Sequence, residues 1–593
     1  MAIIVQKFGG SSVANPEKIL AAARKAIRAQ MAGNQVVVVV SAMGDTTDDL
    51  IDLANRITDR PPAREMDMLL STGEQVSVAL MAMAITELGA KAVSLTGAQI
   101  GIKTDATFRK ARIKSISTSR VQQLLDQGYV VIAAGFQGID EDFNITTLGR
   151  GGSDTTAVAL AAVLNADACE IYTDVDGVYT TDPRILPEAR KVSQISYDEM
   201  LELASLGAGV MHNRSIEFGK KFGVPILVRN SQSDAPGTMI VADPESPDLP
   251  VCGAALIKDE ARVSLIGVPD VPGTSLAVFS RIAARNIAVD MIVQNVGAAG
   301  KADISFTVTR NELRATLEAV AEAIQELGAG DVIHDDNVAK VSVVGLGMAR
   351  QTGVAQRMFR ALADASVNIQ MITTSEIKIS VLVERAVAPQ ALRVVHEAFK
   401  LEQPPPAGAT NVAAATSQRV DAADVVEQLQ GVDMEDLFIS EITLDDTQAR
   451  VTILGVPDKP GIAAKVFEQV AAANIFVDMI VQSHTGHERA SLTFTVPQAQ
   501  LTQALAVAET VAKTFACQGV TSAPSVAKLA VSGVGLRSHT GVAIRMFKSL
   551  SQAGINVDLI NTSEVRVNIL VDGQAGRRAL EQLNAAFADV MQQ

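Results

Sequence analysis

The chain has 593 residues, of which 48% are hydrophobic and 20% charged, a composition typical of folded protein and a length that predicts three or more domains. Its formal net charge is −15 and no cluster of lysine and arginine stands out, so we expect no nucleic-acid partner. The three cysteines lie far apart without a CxxC pair, which argues against a disulfide framework or structural zinc and favours the cytoplasm or another reducing intracellular compartment.

The first predicted element is the strand IIVQKF, an apolar run too short for a signal peptide. The helix-like PEKILAAARKAIRAQ follows, and the strands VVVVVSAM, YVVIAAGF and ACEIYTDV come later, with helical stretches between them. Helices between continuous apolar strands predict an α/β domain, residues 1–245, with a mainly parallel sheet covered on both faces. No segment approaches the roughly 18 apolar residues of a membrane span, so we expect no membrane association.

The turn after the first strand, KFGGSS, has the composition of a phosphate site. Two glycines let backbone N–H groups approach phosphate oxygens, the following helix N-terminus adds positive potential, and Lys7 supplies a full charge. The phosphate-loop pattern GxxxxGK[ST] is absent from the chain. Taken alone, the turn also fits a purely structural role.

Two later motifs add polar groups where ligands bind in open α/β sheets. LGRGGSDTTA, from Leu148, places an arginine, two glycines and hydroxyl groups at a helix start, which predicts a second backbone nest for anions. YTDVDGVYTTDPR, from Tyr172, offers polar groups at the carboxyl end of the strand ACEI. A single aspartate or arginine here also fits a solvated side chain or a helix cap, so the prediction depends on their joint occurrence.

The second half of the chain contains an internal repeat. RVSLIGVPDVPG from Arg262 recurs as RVTILGVPDKPG from Arg450, and the sequence from Lys340 recurs from Lys528 at the same displacement. Each copy holds two halves that read strand, glycine-bearing turn, helix, strand, turn, strand, which predicts four small α+β modules in two tandem pairs, residues 249–400 and 437–593. Between them, EQPPPAGATNVAAATSQ predicts a Pro/Ala-rich linker over residues 401–436.

Four motifs of the chain together resemble the motif series of aspartate kinases in the amino acid kinase family, and they occur in the same order. They are KFGGSS, the STGE of Ser71–Glu74, GRGGSDTTA and TDVDGVYTTDPR. The tail is similar to the paired, ferredoxin-like ACT regulatory modules of those enzymes, here present twice. The resemblance implies an amino acid kinase fold, ATP and Mg²⁺ as cofactors, and phosphorylation of the side-chain carboxylate of L-aspartate. The implied product, 4-phospho-L-aspartate, begins the biosynthesis of lysine, threonine and methionine.

The same resemblance implies roles for individual residues, although the direct metal ligands stay unknown. Lys7 would stabilise the transferring phosphoryl group, and Asp154 would orient Lys7 or the metal. Glu74 would take the substrate ammonium and Arg150 its α-carboxylate, a planar anion that suits a guanidinium fork. The other implied contacts are Gly9, Gly10 and Ser11 with phosphates, Ser41 with ATP, Thr47 with aspartate, Gly151, Gly152 and Ser153 at the junction of the two substrates, and Thr173, Asp174, Tyr179, Asp182 and Arg184 around the nucleotide.

One motif departs from the family pattern. GAGVMHNRS carries Gly209 where many family members have the lysine of a GAK sequence, so a nucleotide contact by that lysine is in doubt. His212 lies in the same motif, and no HxxH or Asp/His cluster in the sequence predicts a permanent metal site.

The repeats carry polar residues on otherwise apolar strands. Asp290 and Gln294 recur as Asp478 and Gln482, which packing alone explains poorly, although one such module also fits a simple tight connection. ACT modules bind amino acids, typically lysine or threonine, between paired modules, and the resemblance implies one effector pocket within each pair. In the first pair the implied residues are Val289, Asp290, Gln294, Val354, Ala355, Asn368, Ile369, Ser375 and Glu376. In the second pair they are Val477, Asp478, Gln482, Val542, Ala543, Asn556, Val557, Ser563 and Glu564.

Other functions stay open at this point. A catalytically silent amino-acid sensor would keep the kinase fold as a scaffold, although the intact Lys7, Glu74, Arg150 and Asp154 favour an enzyme. A related kinase acting on another carboxylate or phosphate would have no use for the regulatory tail. We expect a homo-oligomer, with a dimer favoured because dimers are the commonest soluble assemblies. The sequence does not indicate which effector binds which pocket.

Overall fold

A computed structural model describes residues 1–207, 209–296, 300–405, 434–484, 489–536 and 541–591. Residues 3–241 form an α/β kinase unit, and most of the remaining described residues form four α+β modules. The predicted linker, residues 401–436, lies outside the described residues from 406 to 433.

The kinase unit is a three-layer structure around an eight-stranded sheet. Its strands are β1 (Ile3–Phe8), β2 (Gln35–Val40), β3 (Ala92–Leu95), β4 (Ile102–Thr104), β5 (Ile113–Ile116), β6 (Val130–Ala134), β7 (Gln137–Ile139), β8 (Ile145–Thr147), β9 (Ala168–Thr173), β10 (Gln194–Ser196), β11 (Ile226–Asn230) and β12 (Thr238–Val241). The sheet order is β10-β12-β11-β9-β1-β2-β6-β3, and only the β11–β12 pair is antiparallel. The five valines of β2 are fully buried because this strand is central and covered on both faces. The other four strands form a small sheet, β5-β4-β7-β8.

The helices of the kinase unit begin where the sequence offers caps. Asn15 accepts a hydrogen bond from the Lys18 N–H at the start of the first helix, and Pro16 occupies its first position. Three alanines of that helix, Ala22, Ala23 and Ala26, are buried in the core that includes the valines of β2. The helices are α1 (Pro16–Met31), α2 (Thr46–Asn55), α3 (Ala63–Glu87), α4 (Gly97–Ile100), α5 (Ser119–Asp126), α6 (Gly152–Val163), α7 (Tyr197–Ser205) and α8 (Asn213–Phe222).

Helix α3 is long and apolar enough, by length and composition, to cross a membrane, which the sequence reading did not expect. Half of its most apolar window is buried within the protein. Its buried face includes Asp67 and Glu74, and Asp67 accepts hydrogen bonds from the backbone of Arg109 and Thr147. Packing within the kinase unit accounts for the buried half of this helix, whose buried carboxylates bind loops of that unit, whereas Met68, Val76 and Met83 of the same helix are exposed.

The C-terminal half forms a twelve-stranded sheet. Its strands are β13 (Gly253–Pro269), β14 (Asp290–Val296), β15 (Lys301–Thr309), β16 (Asp331–Val344), β17 (Met371–Thr374), β18 (Lys378–Glu384), β19 (Phe438–Pro457), β20 (Ile480–His484), β21 (Arg489–Pro497), β22 (Gly519–Val534), β23 (Leu559–Thr562) and β24 (Arg566–Asp572). Its helices are α9 (Thr274–Ala284), α10 (Leu313–Leu327), α11 (Val354–Asp364), α12 (Ala388–Ala398), α13 (Ile462–Ala472), α14 (Leu501–Thr514), α15 (Gly541–Gln552) and α16 (Gly576–Phe587).

These elements make four modules, here numbered 1 to 4 and spanning residues 260–335, 338–399, 448–523 and 526–587. The two modules of a pair are interwoven, because the first part of β13 pairs with β16 in module 2 and the first part of β19 pairs with β22 in module 4. The two pairs then meet crosswise. Strand β17 of module 2 pairs with β20 of module 3, and β14 of module 1 lies against β23 of module 4.

Candidate active site and regulatory cavities

The carboxyl ends of β1, β2, β6 and β9 lie side by side and form the floor of the candidate site. Lys7, next to last on β1, is paired in register with Val39 and Ile171. Its ammonium lies 2.5 Å from a carboxylate oxygen of Asp154, in the first turn of α6. Both residues are buried, with 8% and 9% of their surface exposed. Two residues far apart in sequence thus form one buried ion pair at the sheet edge.

Glycines bring the backbone close to this pair. A Cβ at Gly10 would lie 2.8 Å from the carbonyl oxygen of Ala42, and one at Gly9 would lie 3.4 Å from the Lys7 ammonium. The Gly9 N–H already donates to the Tyr172 carbonyl, so Gly9 contributes space for Lys7 and does not offer this N–H to a phosphate. Ser11 is exposed at this turn, next to Gly10.

The loops after β1 and β2 are tied together and carry two further predicted residues. The Ser41 N–H donates to the Phe8 carbonyl, 3.1 Å away, and the Gly44 N–H donates to the Gly10 carbonyl, also 3.1 Å away. Ser41 is therefore adjacent to the Lys7 strand. Thr47 lies a little further on, half-buried in the first turn of α2.

Glu74 projects from α3 toward the same edge. Its Oε1 accepts a hydrogen bond from the Ala42 N–H at 3.1 Å, while its buried Oε2 has no hydrogen-bond partner among the described residues. Gly73 lets the helix approach closely, because a Cβ there would lie 2.8 Å from the Ala42 side chain. Burial raises the pKa of Glu74 to about 7, against the lowering effect of backbone hydrogen bonds. A carboxylate with an open oxygen suits a cationic ligand.

The loop before α6 carries the second predicted nest. Gly151 has a φ of 72° at the N-cap of α6, a left-handed conformation that favours glycine. The Cβ of His212 packs against it and leaves no room for a side chain at this position. A Cβ at Gly135 would lie 2.7 Å from Ser153, which is in the first turn of α6. The absence of a side chain at Gly135 therefore allows the start of α6 to pack closely here. The Arg150 side chain is exposed beside this nest.

The remaining predicted nucleotide residues begin with Thr173, the last residue of β9, and continue in the segment after this strand, which lies next to the Lys7 strand. Thr173 donates to Asp174 at 3.1 Å, and the guanidinium of Arg184 binds Asp182, with its Nη2 at 2.8 Å. Hydrogen bonds from Arg184 lower the pKa of Asp182, which therefore stays ionised. Tyr179, which lies between Asp174 and Asp182 in the sequence, is half-buried. In this arrangement the charged groups bind each other, so a nucleotide would compete with these internal contacts.

Three residues of this site were not predicted from the sequence. The Ala42 N–H fixes Glu74, and no side-chain chemistry at an alanine signals such a role. Tyr172 stacks on Phe8 with ring centroids 4.7 Å apart, and its carbonyl receives the Gly9 N–H. His212, which the sequence reading set aside, caps α8 by accepting from the Arg214 N–H. Burial and then Arg214 lower the pKa of His212, so it is neutral at pH 7.

Gly209, the departure from the family pattern, is exposed, and its neighbour at 208 lies outside the described residues. Among the described residues, a Cβ at Gly209 would meet only the Gly207 carbonyl, 3.9 Å away. The position therefore has room for a lysine, and glycine is not required there by packing.

Two of the cavities in the described part of the regulatory modules are lined by predicted effector residues from both pairs, which differs from the prediction of one pocket within each pair. The larger, about 360 Å³, lies between modules 2 and 3, and the smaller, about 100 Å³, lies between modules 1 and 4. The predicted residues that line the larger are Val354, Ala355, Ser375, Glu376, Val477 and Asp478. Those that line the smaller are Val289, Asp290, Ala543, Ser563 and Glu564.

The crosswise arrangement follows from the sheet and the helices. The pairing of β17 with β20 places α11 beside α13, where Phe359 and Phe467 have ring centroids 5.5 Å apart. Phe279 of α9 and Phe547 of α15 lie 5.9 Å apart at the other junction. The remaining predicted effector residues bind across the same junctions or pack there. Gln294 donates to the Val557 carbonyl, and Gln482 donates to the Ile369 carbonyl. Asn368 donates to Asp458, and Asn556 donates to Asp270. Val542 is buried.

The smaller cavity is joined directly to the kinase unit. Lys378 and Glu564, which line it, both bind Glu202 of α7: the Lys378 ammonium lies 2.8 Å from Oε2, and the Glu564 N–H donates to Oε1 at 2.8 Å. Asn213, at the start of α8, donates to the Glu564 carboxylate at 2.9 Å. Glu202 is fully buried. A change in this cavity therefore reaches charged groups of the kinase unit without an intermediate element.

Comparisons with known proteins agree with this architecture. A model of the amino acid kinase family matches residues 2–230, and a model of the ACT domain matches residues 341–399, 451–511 and 529–587. An aspartate kinase of Pseudomonas putida is 52% identical over 406 residues, which are 68% of this chain and 99% of that protein. The structure of aspartate kinase from Synechocystis is 40% identical and covers 99% of this chain and 98% of its own, with a TM-score of 0.52. E. coli aspartokinase III in complex with aspartate and ADP is 26% identical, with coverage of 67% and 99% and a TM-score of 0.56.

The parallel sheet, its buried lysine and aspartate, and the appended modules define an amino acid kinase with ACT regulatory modules. This confirms the predicted fold class. The match to relatives of about 50% identity, which covers 99% of their length and 68% of this chain, goes further: the chain belongs to the aspartate kinase family. It is an enzyme of that family, so the alternative of a silent sensor is set aside.

Proposed function

We propose that this chain transfers the γ-phosphoryl group of ATP to the side-chain carboxylate of L-aspartate and forms 4-phospho-L-aspartate, the first step toward lysine, threonine and methionine. The observation that carries the proposal is the buried ion pair of Lys7 and Asp154, 2.5 Å apart at the carboxyl edge of the sheet. The E. coli relative solved with aspartate and ADP supports the choice of both substrates.

The chemistry fits the residues. An aspartate carboxylate is already ionised at pH 7, so the reaction needs no general base. It needs two anions to be neutralised and aligned, which preorganised cations and backbone N–H groups supply. Asp154 holds Lys7 in place, and the N-terminal turn of α6 adds positive potential where the phosphoryl group would transfer.

Aspartate is held, in this proposal, by groups of opposite charge on two elements. Glu74 binds the α-ammonium through its open Oε2, and the exposed guanidinium of Arg150 binds the α-carboxylate. Ser153 and the glycines before it then line the place where the side-chain carboxylate meets ATP. Thr47 adds a hydroxyl from α2.

Mg²⁺ accompanies ATP in this proposal. No group of three or more histidine, cysteine, aspartate or glutamate side chains suited to a metal occurs among the described residues. A Mg²⁺ ion bound to nucleotide phosphates needs only one or two protein carboxylates, and Asp154 is a buried carboxylate at the site that suits this role. The ion would neutralise phosphate charge while Lys7 holds the transferring group.

We further propose that lysine and threonine inhibit the enzyme by binding the regulatory cavities. The E. coli relative has also been solved with lysine and aspartate. Lysine carries two ammonium groups, and the larger cavity has three carboxylates, Glu376, Asp445 and Asp478, with the single cation Lys528 among its lining residues. The smaller cavity, about 100 Å³ in volume, suits the shorter side chain of threonine. An effector inhibits only if it binds the inactive arrangement more tightly than the active one.

The direct test is ATP turnover by the purified protein with and without L-aspartate. The proposal expects ADP formation that saturates with aspartate and stops without it. Turnover that ignores aspartate, or that responds equally to another carboxylate, contradicts it. Light scattering on the same sample tests the predicted dimer, and thiol titration tests the reducing setting expected from three free cysteines.

A further inference from the structure

Arg214, near the start of α8, binds the loop that carries Arg150. Its Nη1 donates to the Leu148 carbonyl, and its Nη2 donates to the Ala111 carbonyl at 3.0 Å. The Leu148 N–H in turn donates to the Phe136 carbonyl at 2.9 Å. The backbone of Leu148, two residues before Arg150, is thus bound by the Arg214 guanidinium at its carbonyl and by the Phe136 carbonyl at its N–H. The position of the Arg214 guanidinium therefore determines where the loop that carries Arg150 begins.

Glu435 completes the contacts of this guanidinium. Its Oε1 and Oε2 lie 2.8 and 2.6 Å from Arg214 Nη2, and Oε2 also accepts from the Ile113 N–H at 3.0 Å. The side chain of Glu435 is 8% exposed and that of Arg214 is 18% exposed, so the pair is largely withdrawn from water. Because arginine stays protonated in proteins, removing this carboxylate leaves a mostly buried charge without its partner.

Glu435 lies on a short segment, Met434–Asp436, that docks on the kinase unit. The Met434 N–H donates to the Lys114 carbonyl at 3.1 Å, and Met434 itself is 1% exposed in the core of the kinase unit. The Lys221 ammonium donates to the carbonyls of Met434 and Asp436, at 3.0 and 3.3 Å. Strand β19 begins two residues further on, and its first part pairs with β22 of module 4. The segment thus joins the kinase unit to the second pair of modules.

We propose that Arg214 is a positioning residue for the aspartate-binding loop and that Glu435, supplied by the regulatory half, fixes its guanidinium. The inference rests on the proposed role of Arg150 in binding aspartate. Glu435 lies far beyond residue 230, where the match to the kinase family ends, so the kinase unit is completed by a residue from outside it. Displacing a substrate-binding group by about 1 Å is enough to change a rate constant about a hundredfold. The Arg214–Glu435 contact, here called the anchor, can therefore affect aspartate binding strongly through the position of Arg150.

The test measures KM for aspartate, KM for ATP and the unfolding temperature in the full-length enzyme. Glu435→Gln and Arg214→Lys are each expected to raise KM for aspartate about tenfold while KM for ATP stays within about twofold. The double variant is expected to show no more than the larger single effect, because both act through one contact. The matched control is Glu245→Gln, which removes a similarly buried partner of Arg190, whose side chain is 19% exposed, away from this loop.

Three outcomes overturn the inference. The first is an unchanged KM for aspartate in Glu435→Gln. The second is a loss of stability and a change in both KM values that match those of Glu245→Gln, which indicates a merely structural role. The third is full additivity in the double variant. Arg150→Gln separates this inference from the proposed function: if it leaves KM for aspartate unchanged, the proposed aspartate site itself is wrong, whereas a raised KM there with a normal Glu435→Gln refutes only the anchor.

Discussion

Replacing Glu74 by glutamine is expected to make the empty enzyme more stable and less able to bind aspartate. Burial raises the pKa of this carboxyl from 4.5 to about 7. Between pH 4.5 and 7, the native state therefore keeps a proton on Glu74 that the unfolded chain releases. The stability from this group is fully present below pH 4.5 and is lost as the pH rises through 7. A shift of this size corresponds to about 3 kcal/mol of unfavourable free energy at pH 8, which an uncharged glutamine avoids.

The opposite effect is expected on aspartate binding. The substrate ammonium favours the ionised Glu74, so binding below pH 7 should release a proton from this residue, and KM for aspartate should rise as the pH falls from 8 to 6. Glutamine removes one charge-assisted contact, which we expect to raise KM for aspartate by about 30-fold or more. The variant should also show little of this pH dependence.

Thermal unfolding at pH 5 and pH 8 and steady-state kinetics between pH 6 and 8 measure both effects. Glu74→Gln is expected to have a higher unfolding temperature than the wild type at pH 8, a much smaller difference at pH 5, and a raised KM for aspartate throughout. Glu74→Asp, which keeps the charge, should recover part of the binding. A variant that is no more stable than the wild type at pH 8, or that binds aspartate normally, refutes the reasoning.

Three further predictions concern regulation. Gln294→Ala and Gln482→Ala each remove a side-chain hydrogen bond between modules of different pairs and should weaken inhibition more than they reduce basal activity; dose–response curves that match the wild type contradict this. Asp445→Asn removes one of the carboxylates of the larger cavity, so about tenfold more lysine should be needed for half-inhibition while the threonine response is unchanged; an equal loss of both responses contradicts the assignment. Glu202→Gln removes the negative charge that Lys378 faces in this buried contact and should reduce the threonine response in particular, as assayed by kcat with saturating aspartate; a threonine response equal to that of the wild type contradicts this.

Local patterns were enough to predict the elements around the kinase site. The alternation of valine-rich strands and alanine-rich helices specified the parallel sheet, because its strands must be apolar on both faces. The turn after the first strand and the loop before α6 were each recognisable from glycines and charged residues. Their meeting, with Lys7 2.5 Å from Asp154, follows once β1 lies next to β9 at the centre of the sheet.

The pairing of the regulatory modules was not predictable in the same way. A repeat displays equivalent residues in each copy, such as Asp290 and Asp478, and this pattern is equally compatible with pockets inside a pair or between pairs. The choice is made by strand edges and helix packing far apart in the chain. Glu435 was missed for a related reason: a single glutamate within the predicted linker carries no periodic or motif signal, and its partner Arg214 is 221 residues away.

The measurement that tests the central claim most directly is trapping of the product with hydroxylamine, which converts an acyl phosphate to a hydroxamate. Wild-type protein supplied with ATP, Mg²⁺ and L-aspartate should form aspartyl hydroxamate in proportion to the ADP released. Lys7→Ala should lose this activity by orders of magnitude and still fold, as judged by circular dichroism. ADP release without hydroxamate, or full activity in Lys7→Ala, would contradict phosphoryl transfer to aspartate at the Lys7 site.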